Sequence, residues 1–197
     1  MTDRELKIMD ATMDIVAEVG LEGFSMRTLS SRVELSAPMI YLLFPSKEDL
    51  LYRCFLFVNR QIAGLFKATD LSPEASPEEI LAYFHSAWLR YFRFMVENGN
   101  RTLFYYAYRD SAWLKDILRQ NNETVAQDMA AFTQLCQIIS AKLGLFRSLS
   151  PDFFYVFLLD GTGCFVRRII QQKLVLTDAE AESIWQLIFG GIHGFIA

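Results

Sequence analysis

Residues Ser25–Leu51, SMRTLSSRVELSAPMIYLLFPSKEDLL, set the architecture of the chain. Two short helical patterns meet here across a turn too tight for ordinary core helices. The first opens at Ser25, a favourable N-cap, and repeats apolar residues at Met26, Leu29 and Val33, one face of about two helical turns. The second opens at Ser36 and carries Ile40 inward. Only Glu34 and Leu35 separate them, so the second helix must leave at a steep angle. That is the geometry of a helix-turn-helix, which lets one short helix enter a DNA major groove.

A glycine-ended helix followed by Ser25, Leu29-Ser30, Leu35-Ser36, Ile40-Tyr41, Phe44 and Lys47-Glu48-Asp49-Leu50 resembles the TetR/AcrR family of bacterial one-component transcriptional regulators. The likeness covers about residues 8–51, roughly the first quarter of the chain. Tyr three residues before Phe, and Lys three after it, is far more selective than a generic helix-turn-helix. The resemblance implies an all-α fold: a three-helix DNA-binding head over residues 1–50, and a helical ligand-binding and dimerisation body over 51–197. A helix over about 47–67 joins them, among about nine helices in all. It also implies that the second short helix reads DNA, that the body senses a small molecule, and that Tyr41 and Lys47 meet phosphate. Three positions depart from the family pattern. Glu34 replaces the usual turn glycine, where a positive φ would cost a non-glycine residue about 1 kcal/mol. Leu42 and Leu43 replace an aromatic residue and a histidine, removing polar phosphate contacts.

The residues support this reading on their own terms. Ser36, Ala37, Pro38 and Met39 form the first turn of the recognition helix, where small side chains let the backbone approach the groove and free amides can meet phosphate. Pro38 costs little there, because first-turn amides have no helical partner. Tyr41 can pack its ring and aim its hydroxyl at phosphate, although packing alone would explain the ring. Arg27, beside Ser25 and Thr28 on the supporting helix, belongs to the commonest class of guanine reader; a solvated arginine is the plainer alternative. With Leu42 these residues complete the expected DNA face. Ser46 caps the next helix and Asp49 stands three residues on, so Lys47 falls at the positive end of the helix dipole. A phosphate placed there would turn that penalty into an attraction.

Composition narrows the function. At 197 residues and 52% hydrophobic, the chain can bury a sizeable core. A net charge of −4 argues against binding nucleic acid through bulk electrostatics. Locally, Arg27, Arg32 and Lys47 stand against Glu34, a net of +2, whereas Asp3, Glu5, Asp10, Asp14, Glu18 and Glu22 belong to the preceding helix and its exit. Cys54, Cys136 and Cys164 are odd in number and widely spaced in apolar helical contexts, which suits reduced cytoplasmic thiols rather than a disulfide frame or metal site. No signal peptide opens the chain and no apolar run reaches membrane-spanning length, so a cytoplasmic location without membrane attachment is expected.

Along the chain, the first helix should run from about Asp3 to Val19 and end at Gly20. Residues 68–76 read as a linker, and Ser76, Pro77 and Glu79 start a helix that Asn98-Gly99 stops. Arg101 to Gln120 reads as one broken or two short helices, and Thr124 to Leu143 as another. The last two run from Ser150-Pro151 to about Lys173 and from Thr177 to about Phe195, the second with a Thr177/Glu180 capping box. Both carry more apolar surface than one core-facing stripe uses. Phe154, Phe157, Gly161 and Phe165 on one, and Ile184, Leu187, Ile188, Gly191 and Phe195 on the other, are expected to pair two subunits as a four-helix bundle; burial within one subunit is the alternative. Such a homodimer would present recognition helices about 34–36 Å apart, or a small multiple of that, to a near-palindromic operator in double-stranded DNA.

Aromatic residues crowd the stretch Tyr83 to Trp113. Trp88, Tyr91, Phe92, Tyr105, Tyr108 and Trp113 are the expected lining of a pocket for a small-molecule effector, with ordinary core packing as the alternative. Only two histidines, no metal-spaced ligands, no nucleophile elbow and no phosphate-cradling loop argue against an enzyme; no catalytic residue, metal or cofactor is expected. The rival reading is a helical dimeric ligand-binding or interaction module of the same fold with weak or lost DNA binding.

Overall fold

The structure is a computed structural model that describes residues 1–66, 72, 74–120, 123–142 and 152–190. Among these residues the fold is all-α, in ten helices: α1 (Asp3–Gly23), α2 (Met26–Val33), α3 (Ala37–Tyr41), α4 (Lys47–Ala63), α5 (Pro77–Glu97), α6 (Gly99–Arg109), α7 (Ala112–Gln120), α8 (Glu123–Lys142), α9 (Asp152–Gln172) and α10 (Asp178–Phe189). They form two compact units. One comprises Met1–Arg60 with Asn98–Ala126; the other comprises Gln61–Glu97 with the described residues from Gln127 onward.

The first unit begins with a capping box, in which the Glu5 amide donates to Thr2 Oγ1 at 3.2 Å and the Thr2 amide donates to Glu5 Oε2 at 2.7 Å. Helix α1 breaks at Gly20, whose φ of 77° is open to glycine at no steric cost, and makes one more turn to Gly23. That turn lets Phe24 drop into the core before Ser25 caps α2. Ile8, Met13 and Val16 of α1 are buried, as are Phe24, Leu29, Val33, Ile40, Phe44, Leu50 and Leu51 in the same unit. Helix α6 packs along α1. Arg101 Nη2 donates to Asp10 Oδ1 at 2.9 Å and Asn100 Nδ2 to Asp14 Oδ1 at 2.8 Å. The acids of the first helix are thus anchors for a partner far along the chain. For this reason the compact unit reaches past residue 50 to take in α6 and α7.

The second unit is an aromatic core. Ser76 and Glu79 cap α5 reciprocally, and Phe84, Trp88, Tyr91, Phe92 and Met95 form its buried stripe. The rings of Trp185 and Phe189 of α10 are tilted against each other with centroids 4.2 Å apart, and both lie edge-on to Phe84. Trp88 Nε1 donates to Thr162 Oγ1 of α9 at 2.8 Å, which satisfies an indole that burial would otherwise leave unpaired. The Thr177/Glu180 box opens α10 as expected. Helix α5 ends just before Asn98-Gly99, Gly99 is already the first residue of α6, and α6 and α7 divide at Asp110-Ser111. The expected extension of the last helix to Phe195, and that of α8 to Leu143, lie outside the described residues.

Candidate nucleic-acid interface

The turn between α2 and α3 is closed by the backbone. Glu34 takes the left-handed conformation (φ 58°, ψ 36°) at the C-cap of α2, its amide donates to the Ser30 carbonyl, and the Leu35 amide donates to the same oxygen at 3.2 Å. Ser30 Oγ donates to the Leu35 carbonyl. The strain expected of a non-glycine residue here is therefore present, held by three bonds around it. At the other end of α2, Ser25 Oγ accepts from the Thr28 amide at 3.1 Å and pairs with the Thr28 hydroxyl.

Helix α3 is five residues long, with Pro38 in its first turn. Only Ile40 of residues 36–43 is buried. Ser36 and Pro38 are exposed, Ala37 and Leu43 are half-buried, and Met39, Tyr41 and Leu42 stand out by 39%, 44% and 84%. The Ser36 hydroxyl makes no cap bond, so the first-turn amides carry no side-chain partner. Arg27 and Thr28 lie on the exposed side of α2.

Two of the three cations are held by the protein itself. Arg32 forms a fork with Glu18 through Nη1 at 3.1 Å and Nη2 at 2.8 Å, which lowers the Glu18 carboxyl below its ordinary range and raises the guanidinium. Lys47 is half-buried. Its Nζ donates to the Phe24 carbonyl at 2.8 Å and lies 5.5 Å from the Phe24 ring centroid and 5.3 Å from that of Trp113. Ser46 Oγ caps α4 by accepting from the Asp49 amide. The sequence reading placed Lys47 at this helix start, but not against two rings, because the partners are distant in the chain.

Residues 8–54 match the profile of the family described as bacterial regulatory proteins, tetR family. The head of this chain is a tetR-family domain. Over 73 residues it is 33% identical to the HTH-type transcriptional repressor KstR of Mycobacterium tuberculosis. That match spans 37% of this chain and 32% of the repressor. Among solved structures, a TetR family transcription regulator from Marinobacter aquaeolei aligns with a TM-score of 0.71 at 20% identity, over 95% of this chain and 94% of that one. A putative tetR family regulator from Shewanella aligns at 0.70 and 18%, over 96% and 98%. These show that the tetR-family fold continues beyond the head.

The six aromatic residues assigned to a pocket fall into two clusters. Trp88, Tyr91 and Phe92 are buried in the second unit, where Trp88 stacks on Phe92 at 4.9 Å. Tyr105 and Tyr108 are buried in the first unit, both against Phe55, at 5.4 Å and 5.5 Å. Trp113 is in the first unit also, beside Lys47. The Tyr108 hydroxyl is buried without a hydrogen-bond partner among the described residues, and desolvation pushes its phenol well up, with Tyr52, Cys54 and Glu48 adding to the shift. Asn59, 1% exposed, has an amide nitrogen in the same state. Sequence reasoning passed over Asn59, although a lone amide within the apolar stripe Phe55, Val58 and Ile62 was the available signal.

Of the residues assigned to pairing, Ile184 and Ile188 are half-buried, Phe165 is 36% exposed and Leu187 75%. A Cβ at Gly161 would meet Ile188 Cγ2 at 3.9 Å, an ordinary contact within the chain. The side chains of Phe154 and Phe157, together with Gly191 and Phe195, lie outside the described residues. Burial pushes the Cys54 thiol well up and the Cys136 thiol up to about 12, whereas Cys164 is exposed; all three are free. No helix among the described residues is long and apolar enough to cross a membrane.

Proposed function

We propose that the protein is a homodimeric, ligand-responsive transcriptional regulator, acting as a repressor on a near-palindromic operator and released by a small molecule. The carrying observation is the exposure of α3: on a tetR-family head, residues 36–43 bury only Ile40 and offer Met39, Tyr41 and Leu42 outward. Arg27, Thr28, Ser25, Ser36 and Pro38 flank that surface, and Lys47 supplies a cation at the start of α4. Phosphate contacts fix register while base-edge contacts select sequence. The absence of polar side chains at Met39 and Leu42 favours apolar contact with thymine methyl groups there.

The exposed apolar side chains of Phe165 and Leu187 support pairing of two copies through α9 and α10. For the effector, the Tyr105–Tyr108 cluster is the stronger of the two aromatic groups. The buried Tyr108 hydroxyl lacks a partner among the described residues, whereas the indole of Trp88 is satisfied by Thr162. A ligand that accepts from Tyr108 and binds one conformation better than the other would shift the population away from the operator-competent form. The site of action is the cytoplasm, and no catalytic step is part of this reading.

The test is binding of the full chain to duplex DNA from its own upstream intergenic region at about 50 and 200 mM salt. Affinity should fall steeply with salt, and Lys47→Ala should lessen the logarithmic slope by about one. The second reading, an interaction module without DNA binding, draws on the exposed acid Glu34 and on the Arg32 charge spent on Glu18. Salt-independent or absent binding would favour it.

A further inference from the structure

Lys47 is the cation expected to meet DNA phosphate, yet it is held on three sides before any DNA arrives. The Phe24 carbonyl takes one of its three donors at 2.8 Å, and the rings of Phe24 and Trp113 face the ammonium at 5.5 Å and 5.3 Å. Two of these contacts come from the link that leads into α2. The third comes from α7, a helix outside the helix-turn-helix but within the same compact unit. A lysine on an open surface spreads over many rotamers and loses that freedom on meeting a phosphate. One already confined by a carbonyl and two aromatic faces has lost much of it in folding, so its phosphate contact forms at lower entropic cost.

We infer that Trp113 is a positioning residue for the phosphate contact of Lys47, and that the seat of α7 on the head thereby sets the strength of DNA binding. This rests on the DNA-binding reading above. It gives Trp113 a role different from lining an effector pocket, and it makes α7 an element through which affinity for DNA is adjusted.

A double-mutant cycle on the full chain tests it, with short random-sequence duplex DNA as probe and fluorescence anisotropy as readout at about 50 and 200 mM salt. Trp113→Leu should weaken binding about five-fold with an unchanged salt slope, because the charge is retained while its cage is opened. Trp113→Phe, which keeps a ring face, should recover most of the loss. In a Lys47→Ala background, Trp113→Leu should have no further effect. An equal loss in both backgrounds would overturn the inference, since Trp113 would then act through the fold alone; so would no loss when Lys47 is present. A DNA-free arm separates this from failure of the DNA-binding reading. Lys47→Met should shift tryptophan emission in the wild-type background and not in Trp113→Leu. If the wild-type chain binds no duplex at either salt, the DNA-binding reading falls and the positioning role with it. If it binds but no emission shift appears, the cage alone is refuted.

Discussion

Two groups of exposed large apolar side chains, one on the head and one in the second unit, differ in their surroundings. On the head, Met39, Tyr41 and Leu42 project from a five-residue helix that has no side-chain cap and an exposed Arg27 nearby in the chain. In the second unit, Leu187 and Phe165 project from longer helices, with half-buried Ile184 and Ile188 beside Leu187 on the same helix. Exposed hydrophobics alone do not name a partner. A small apolar tip among donors and cations is suited to a polyanion with methyl groups in its groove, whereas a broad apolar helix face is suited to another apolar face.

Charge placed on each surface should separate them. Leu187→Asp is expected to have the largest effect: the dimer dissociation constant, read by sedimentation, should rise about 100-fold, while the thermal midpoint at high protein concentration changes little. A subunit that stays paired after this change would remove α10 from the interface. Leu42→Asp should do the converse, costing about ten-fold in DNA affinity through repulsion of phosphate while leaving sedimentation unaltered. Loss of both properties in either variant would mean that the two surfaces are not independent.

Smaller effects sharpen the account of the head. Glu34→Gly should raise stability by about 1 kcal/mol in urea titration, by removing a left-handed non-glycine residue, and should not weaken DNA binding. No gain would mean that the bonds at Ser30 and Leu35 already compensate the strain. The least effect belongs to Glu18. Arg32 lowers its carboxyl from the ordinary 4.5, so the pair's contribution is present above that pH and lost as pH falls through the lower folded value. Glu18→Gln should therefore remove only a slight part of the acid destabilisation seen on titrating below about pH 4.5, because the pair is at the surface. A large change would show that the pair clamps α1 to α2.

Local signals were legible in the chain. Ser25, Ser76 with Glu79, and Thr177 with Glu180 each cap the helix they were read to start, and Gly20 breaks α1 as its backbone freedom allows. The helix-turn-helix was legible because its spacing is short-range. Long-range partnerships were not. Asp10 and Asp14 were assigned to the first helix without their partners Arg101 and Asn100, and Lys47 was placed at a helix start without the Phe24 and Trp113 rings beside it. Helical periodicity states which side of a helix is apolar, not which distant segment supplies its polar partners. Nor does the aromatic density of residues 83–113 state that the stretch divides between two compact units at Glu97 and Asn98.

The most direct measurement is hydroxyl-radical footprinting of the purified full-length chain on its own upstream DNA. The account predicts two protected segments, related by a near two-fold axis and separated by about one helical turn or a small multiple, with protection lost in Leu42→Asp. A single unpaired footprint, or uniform cleavage at protein concentrations where the dimer is formed, would contradict it.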